Sequence, residues 1–275
     1  MIVRYLLLSL PLFGCQVDRR RGVWLLLALL TSSVAYSSIP QRGELGVVWE
    51  AKLPAASDYS ATVEALLVRY EASVGASLKP YERGKVGIKV KTRSGRGMPT
   101  PLPMLRAVIA AMEARGFSRD SILIVDYSAH DLRQAGVLPP LSSDRSRFEG
   151  CPVVALDSGE HYDAKWFYDS PLPPTFTQEP MLLSDMGLRR TLAKDAKERK
   201  SFLPAPLLFE VDFWLNLAVG VDDPALGVDG ALANVTLWNV SNSQRFLVNQ
   251  ATASAAVAEI AAIPELEERV VLHLV

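Results

Sequence analysis

One pattern of residues able to do chemistry occurs twice in this chain. Asp126-Tyr127-Ser128-Ala129-His130 follows the apolar run Ile122-Leu123-Ile124-Val125, and Asp157-Ser158-Gly159-Glu160-His161 follows the run Pro152 to Leu156. Each places D-x-x-x-H at the end of an expected strand. Carboxylate oxygen with imidazole nitrogen is a usual ligand set for zinc or non-haem iron, and ligands of open parallel sheets gather outside the carboxyl ends of the strands. Asp126, His130, Asp157 and His161 are therefore candidates for a divalent-metal site and for catalysis, with Asp131, Glu160 and Asp163 adding negative charge. As plain structure, the same aspartates cap a following helix or close a turn, and surface histidines need no metal.

A second candidate is the stretch from Lys89 to Thr100, with cations at Lys89, Lys91, Arg93 and Arg96 and glycines at Gly95 and Gly97. It joins an expected strand to an expected helix. Consecutive amides in a glycine loop can form an anion-binding nest, and a helix N-terminus adds positive potential. Lys89, Arg93, Gly95, Arg96 and Gly97 thus make a candidate site for phosphate or carboxylate, the alternative being a solvated basic turn. The stretch is neither a P-loop nor a dinucleotide fingerprint. A third cluster, Asp222-Asp223 through Asp229-Gly230 with Asn234, Asn239 and Asn242 downstream, has oxygens suited to a hard cation, but its spacing is not that of a calcium loop and turn chemistry accounts for it.

Several signatures are missing: there is no G-x-S-x-G elbow, no C-x-x-C pair and no H-E-x-x-H. Cys151, beside Pro152, reads as a buried small hydrophobe rather than a nucleophile. Trp49, Trp166, Trp214 and Trp238 read as core or pocket wall, and Trp166-Phe167-Tyr168, close to His161, could line a ligand cleft.

The elements that must position these residues follow from periodicity. Ser60 to Val74 carries Val63, Leu66, Leu67, Tyr70 and Val74 at helical spacing, with Asp58 or Ser60 to cap it. Val86 to Val90 reads as a strand, Pro101 to Arg115 as a helix closed by Gly116, and Ile122 to Val125 as a buried strand, which together form a βαβ unit. A strand from Pro152 to Leu156 follows, then a proline-rich loop from Ser170 to Pro180, a charged helix from Ser184 to Lys200, and a strand from Leu207 to Leu215. A Gly- and Asp-rich loop, a helix from Ala251 to Ala262, a turn at Pro264 to Glu268 and a strand from Arg269 to Val275 complete the order. The expected fold class is α/β: three layers, with a mainly parallel sheet flanked by helices, in which the strands at Val86, Ile122 and Pro152 are neighbours.

Composition agrees with a folded chain of 275 residues, 49% hydrophobic and 21% charged. A net charge of -1 gives no global field for holding a polyanion, which argues against nucleic acid as a partner. The first residues form a leader: Arg19-Arg20-Arg21, an apolar run from Val23 to Leu30, and the small residues Ser33-Val34-Ala35. This is the secretory layout, and the run is shorter than the roughly 20 apolar residues of a membrane span. The expectation is export to the periplasm or medium after cleavage near Ala35, by the general or the twin-arginine route, leaving residues 36–275 as one α/β domain with no stable membrane span. The alternative is a lipid anchor at Cys15, after Gly14. Cleavage near Ala35 removes Cys15, so no internal disulfide can form.

The order of segments resembles the family catalogued as domain of unknown function 362, over most of the mature chain. The resemblance rests on Val86-Gly87-Ile88-Lys89, the helix Leu102 to Gly116, Ile124-Val125-Asp126, Val211 to Leu217, Gly227 to Asn234, and Ala258-Glu259-Ile260. It implies an α/β fold with a polar centre of lysine, histidine and a Lys-Asn pair, where this chain has Val221, Asp223 and Ala233-Asn234. It also implies that a cluster-bearing module occurs in some members, and one mature cysteine cannot ligate an iron-sulfur cluster internally. Two functions follow as expectations: an exported protein binding a small molecule or anion in a cleft at the strand C-terminal ends, or a metal-dependent enzyme using the strand-end Asp/His pairs.

Overall fold

The computed structural model of the chain describes residues 47–53, 58–93, 98–141, 146–158, 160–170 and 199–275. All of these fall within one compact unit, Ser38–Val275. The expected leader, Cys15, the proline-rich loop beyond Ser170 and most of the expected charged helix lie outside the described residues.

Helix α1 (Ser60–Val74) buries Val63, Leu67 and Tyr70 on one stripe and ends at Gly75. Tyr59, not Asp58 or Ser60, stands at its N-cap and no side chain caps it. Strand β1 (Val86–Val90), helix α2 (Leu102–Ala114) and strand β2 (Ile122–Asp126) form the expected parallel βαβ unit. Gly116, at φ 97°, makes the left-handed turn after α2 that a side chain would resist. Helix α3 (Ala129–Gln134) leads on to the two-residue strand β3 (Arg147–Phe148) and to β4 (Cys151–Ala155), which pairs parallel with β2.

Beyond β4, the strands β5 (Tyr162–Asp169) and β6 (Lys200–Pro204) form an antiparallel ribbon. The strand expected from Leu207 to Leu215 divides in two. Pro206–Glu210 makes a π-helical turn, and β7 (Phe213–Leu217) begins only after it. Pro206 has no N–H to give a ladder, and the turn instead buries Leu207 and Leu208 in the core. The expected Gly- and Asp-rich loop is a small hairpin, β8 (Val221–Asp223) and β9 (Gly227–Asp229). Helices α4 (Ala231–Val235), α5 (Gln250–Ala261) and α6 (Pro264–Glu267) and strand β10 (Val270–Leu274) follow.

The main sheet has the order β10-β7-β1-β2-β4-β3, parallel except for β3 at its edge. The strands at Val86, Ile122 and Pro152 are neighbours, as expected. One face, with Val86, Ile88, Val90, Ile124 and Leu215, packs against α1 and α2. The other, with Leu123, Val125, Trp214 and Val270, packs against the π turn, α4, α5 and α6. The protein is a three-layer α/β fold. Gly87 lies on the second face, where a Cβ would stand 2.8 Å from Trp214 Cβ and 2.9 Å from Leu207 Cδ2. Among the described residues no helix is long and apolar enough to cross a membrane.

Candidate functional site

Three strands carry one polar residue each in an apolar run, at corresponding places: Lys89 in β1, Asn216 in β7 and His273 in β10. Parallel register sets Lys89 beside Asn216 and Asn216 beside His273. The three side chains therefore form a polar row across the second face, near the strand C-terminal ends, and α4 lies over it. Asn234 of α4 donates from Nδ2 to Asn216 Oδ1 at 2.7 Å and accepts at Oδ1 from Lys89 Nζ at 3.1 Å. Asn216 Nδ2 donates to the Ala231 carbonyl at 3.0 Å and lies 2.9 Å from His273 Nδ1.

Lys89 is wholly buried, and its ammonium also donates to Asp126 Oδ1 at 2.5 Å and to the Val90 carbonyl at 3.1 Å. With Asn234 that makes three acceptors for three N–H bonds. Burial pushes this ammonium below its ordinary pKa, against the opposing pull of the Asp126 carboxylate. Asp126 is equally engaged. Its Oδ1 also accepts from the Tyr127 amide at 2.7 Å, and its Oδ2 accepts from the Thr92 amide and hydroxyl at 2.8 and 2.5 Å.

A second buried pair sits beside the first. Lys91 forms an ion pair with Asp229, its Nζ 3.0 Å from Oδ2, and donates to the carbonyls of Asp229 and Val219, each at 3.0 Å. Asp229 Oδ1 accepts from the Trp238 indole N–H at 3.0 Å. The outer face of that indole carries Arg93, whose guanidinium carbon lies 3.7 Å from the ring centroid. The expected basic turn is thus not evenly solvated. Lys89 and Lys91 are internal, Lys91 forming part of the buried wall of a cavity whose open side Arg93 lines.

That cavity, about 250 Å³, opens at the C-terminal ends of β1 and β2. Its buried side is made by Lys91, Asp126, Asn234 and Trp238, and its open side by Arg93, Tyr127, Ser128, Asp131 and Gln244. Among the described residues, no hydrogen bond or ion pair engages the Arg93 guanidinium or the Asp131 carboxylate. Burial and the nearby Asp126 charge raise the Asp131 pKa above its ordinary value, while His130 and Arg93 pull it down. A second cavity of about 390 Å³ is lined by Tyr127, Leu156, Asp157, Tyr162, Ala164, Phe202 and Ser241, so that Tyr127 borders both.

The two D-x-x-x-H segments are neighbours, since Asp126 pairs in register with Ala155. Their side chains take other roles than a shared ligand set. Asp157 accepts from the Ala129 amide at 3.0 Å, and Ser128 caps α3 by accepting from the Asp131 amide. Exposed His130 lies 2.8 Å from Gln134 Nε2 one helical turn on, and half-buried His161 stands before β5 with its carbonyl accepting from the Ala205 amide. Among the described residues no group of three or more His, Cys, Asp or Glu is placed to hold a metal ion. The carboxylate of Asp126, turned inward to Lys89 and Thr92, is the physical reason the first pair does not open outward.

In the anion candidate, Lys89 is withdrawn from the cavity and Arg93 lines it, while Gly95, Arg96 and Gly97 lie outside the described residues. In the Asp/Asn cluster, Asp223 accepts from the Ala225 and Leu226 amides, which is turn chemistry, and Asp229 neutralises Lys91. Trp166, Phe167 and Tyr168 pack edge-on or tilted against Phe209, Phe202 and Phe246 respectively, leaving Tyr162 and Phe202 to line the cleft beside them. Cys151 is buried as expected, and burial pushes its thiol up to about 11.

Neither family models, nor curated proteins, nor solved structures yield a match to this chain.

Proposed function

We propose that this chain is a binding protein for a small ligand, which it holds by an anionic group in the cavity at the C-terminal ends of β1 and β2. The observation that carries the proposal is the stacking of Arg93 on Trp238 at the cavity wall. Lys89 has its three donors on protein acceptors, and Lys91 is neutralised by Asp229 and donates to two carbonyls, so they set the shape of the site rather than meet a ligand. Arg93 is different: stacking fixes its plane while leaving its N–H edge for a carboxylate or phosphate. A volume of about 250 Å³ is small beside the roughly 300 to 1,000 Å³ of sites for drug-sized molecules, so the group bound is small.

The test is differential scanning fluorimetry and calorimetric titration with a set of small carboxylates and inorganic phosphate. At least one member should raise the melting temperature in a saturable way, as mass action requires, and Arg93→Ala should abolish that rise. Stabilisation that persists in Arg93→Ala, or no binding at millimolar concentration by any member, refutes it.

The proposal includes two further expectations. One is that the chain is exported and cleaved near Ala35, which fractionation with N-terminal sequencing decides. The other is membership of the domain of unknown function 362 family, supported by the convergence of Lys89, Asp126, Asn216 and Asn234, all residues of the segments that carry the resemblance, on one network.

A further inference from the structure

We infer that the ligand is a small zwitterion bearing an apolar substituent, its anionic group on Arg93, its ammonium group on Asp131, and its substituent in the adjoining cavity past Tyr127. This inference rests on the reading of the first cavity as a ligand site and adds the class of molecule.

The argument starts from which charges the protein leaves to a ligand. The four buried charged groups of the network, Lys89, Asp126, Lys91 and Asp229, neutralise one another in two pairs. Two opposite charges remain on the open side of the cavity, Arg93 and Asp131. They feel each other's charge but are not in contact, since among the described residues no ion pair within 4.0 Å joins them or engages either with a third. The Asp131 carboxylate is partly desolvated and faces the Asp126 charge, which together outweigh the pull of His130 and Arg93 and raise its pKa. A carboxylate so placed is relieved by a cation, and a bound ammonium supplies one with three N–H donors. A ligand carrying only an anion would satisfy Arg93 and worsen the situation of Asp131. One carrying both charges satisfies the two, and the uncharged Tyr127, Ser128 and Gln244 that line the same cavity can bond its remaining polar atoms.

The second cavity gives the substituent. Tyr127 is its shared wall with the first, and Leu156, Tyr162, Ala164 and Phe202 give it an apolar and aromatic lining. The Tyr162 hydroxyl is buried without a hydrogen-bond partner among the described residues, so a substituent carrying one acceptor would gain there as well.

A series of four probes separates the contributions in the unmodified protein: phenylalanine, phenylpropionate, phenethylamine and glycine, each titrated calorimetrically. Phenylalanine is expected to bind about tenfold or more tightly than each of the other three, the size of one charge-assisted hydrogen bond or one well-buried ring. Asp131→Asn should weaken phenylalanine until it binds no more tightly than phenylpropionate does to the same variant, while phenylpropionate binds at least as tightly as it does to the parent. The inference is overturned, and the cavity reading kept, if phenylpropionate binds as tightly as phenylalanine, if glycine does, or if Asp131→Asn leaves phenylalanine unaffected. Failure of all four to bind, with a small carboxylate or phosphate still giving the Arg93-dependent rise in melting temperature, overturns the inference alone, and failure of those as well overturns both.

Discussion

Lys89 and Asp126, 37 positions apart in the chain, meet in a 2.5 Å ion pair whose side chains are 0% and 5% exposed. They meet because β1 and β2 run parallel with Lys89 beside Val125, which leaves Asp126 one step beyond the end of the ladder and free to turn back. Removing one partner of such a pair strands a buried charge, at a cost of about 3 to 5 kcal/mol. Lys89→Met should therefore lower the stability measured by urea unfolding by about that amount. The combined Lys89→Met and Asp126→Leu variant should be less destabilised than the two single losses added together, by more than about 1 kcal/mol. Losses that simply add would show that the two residues are not coupled.

Gly87 offers a test of the second face of the sheet. An added methyl there would stand 2.8 Å from Trp214 Cβ, an atom fixed to its own backbone, so the strands themselves must shift. Gly87→Ala should destabilise by about 1 to 3 kcal/mol, read as a lower melting temperature with the far-ultraviolet spectrum retained. A variant as stable as the parent would mean that β1 and β7 are further apart than described.

Acid should act through Glu71. Burial by itself would raise this carboxyl, but hydrogen bonds from Arg115 and from the Leu78 amide, with the Arg115 charge, overcome burial and hold it below its ordinary value. A depressed acid contributes stability that is present above its unfolded pKa and is lost as pH falls through the folded one. The melting temperature should therefore fall steeply below about pH 4, near the ordinary carboxylate value, and the fall should be shallower in Glu71→Gln. Equal slopes in parent and variant would remove Glu71 from the account.

Cys151 should be chemically silent in the folded protein. Its thiol is fully buried and pushed up to about 11, so little thiolate exists near neutrality. A maleimide at pH 7 should label it only after denaturation, as followed by mass spectrometry. Rapid labelling of the native protein would contradict the burial.

Much of the fold was legible because its strands are buried on both faces and read as apolar runs, and because Gly116 and the helical spacing of α2 mark one βαβ unit clearly. The π turn at Pro206–Glu210 was not, since Leu207-Leu208-Phe209 has the composition of a strand and only Pro206 hints otherwise. The site was legible in a way the motifs obscured. D-x-x-x-H drew attention to His130 and His161, which are outside the polar network, whereas Lys89, Asn216 and His273 each stand as the fourth residue of five in VGIKV, FWLNL and VVLHL. A lone polar residue repeated at one place in several buried strands was the signal. Lys91, Asp229 and Trp238 had no such signal, because their meeting depends on how the β8–β9 hairpin folds over the sheet.

The order of the sheet also sets when the site can come into being. During synthesis β1 and β2 emerge early and can join at once, bringing Lys89 to Asp126. The other flank of β1 belongs to β7, which the ribosome delivers far later, together with the Asn216, Asn234 and Asp229 that complete the network. Until then a nascent chain shows an unpaired central strand edge and a half-neutralised lysine row, the kind of surface that invites wrong pairing. Closure by such distant partners is slow, so the rate-limiting event in folding should be the docking of the C-terminal third onto β1, and a holding chaperone would find its target in that interval.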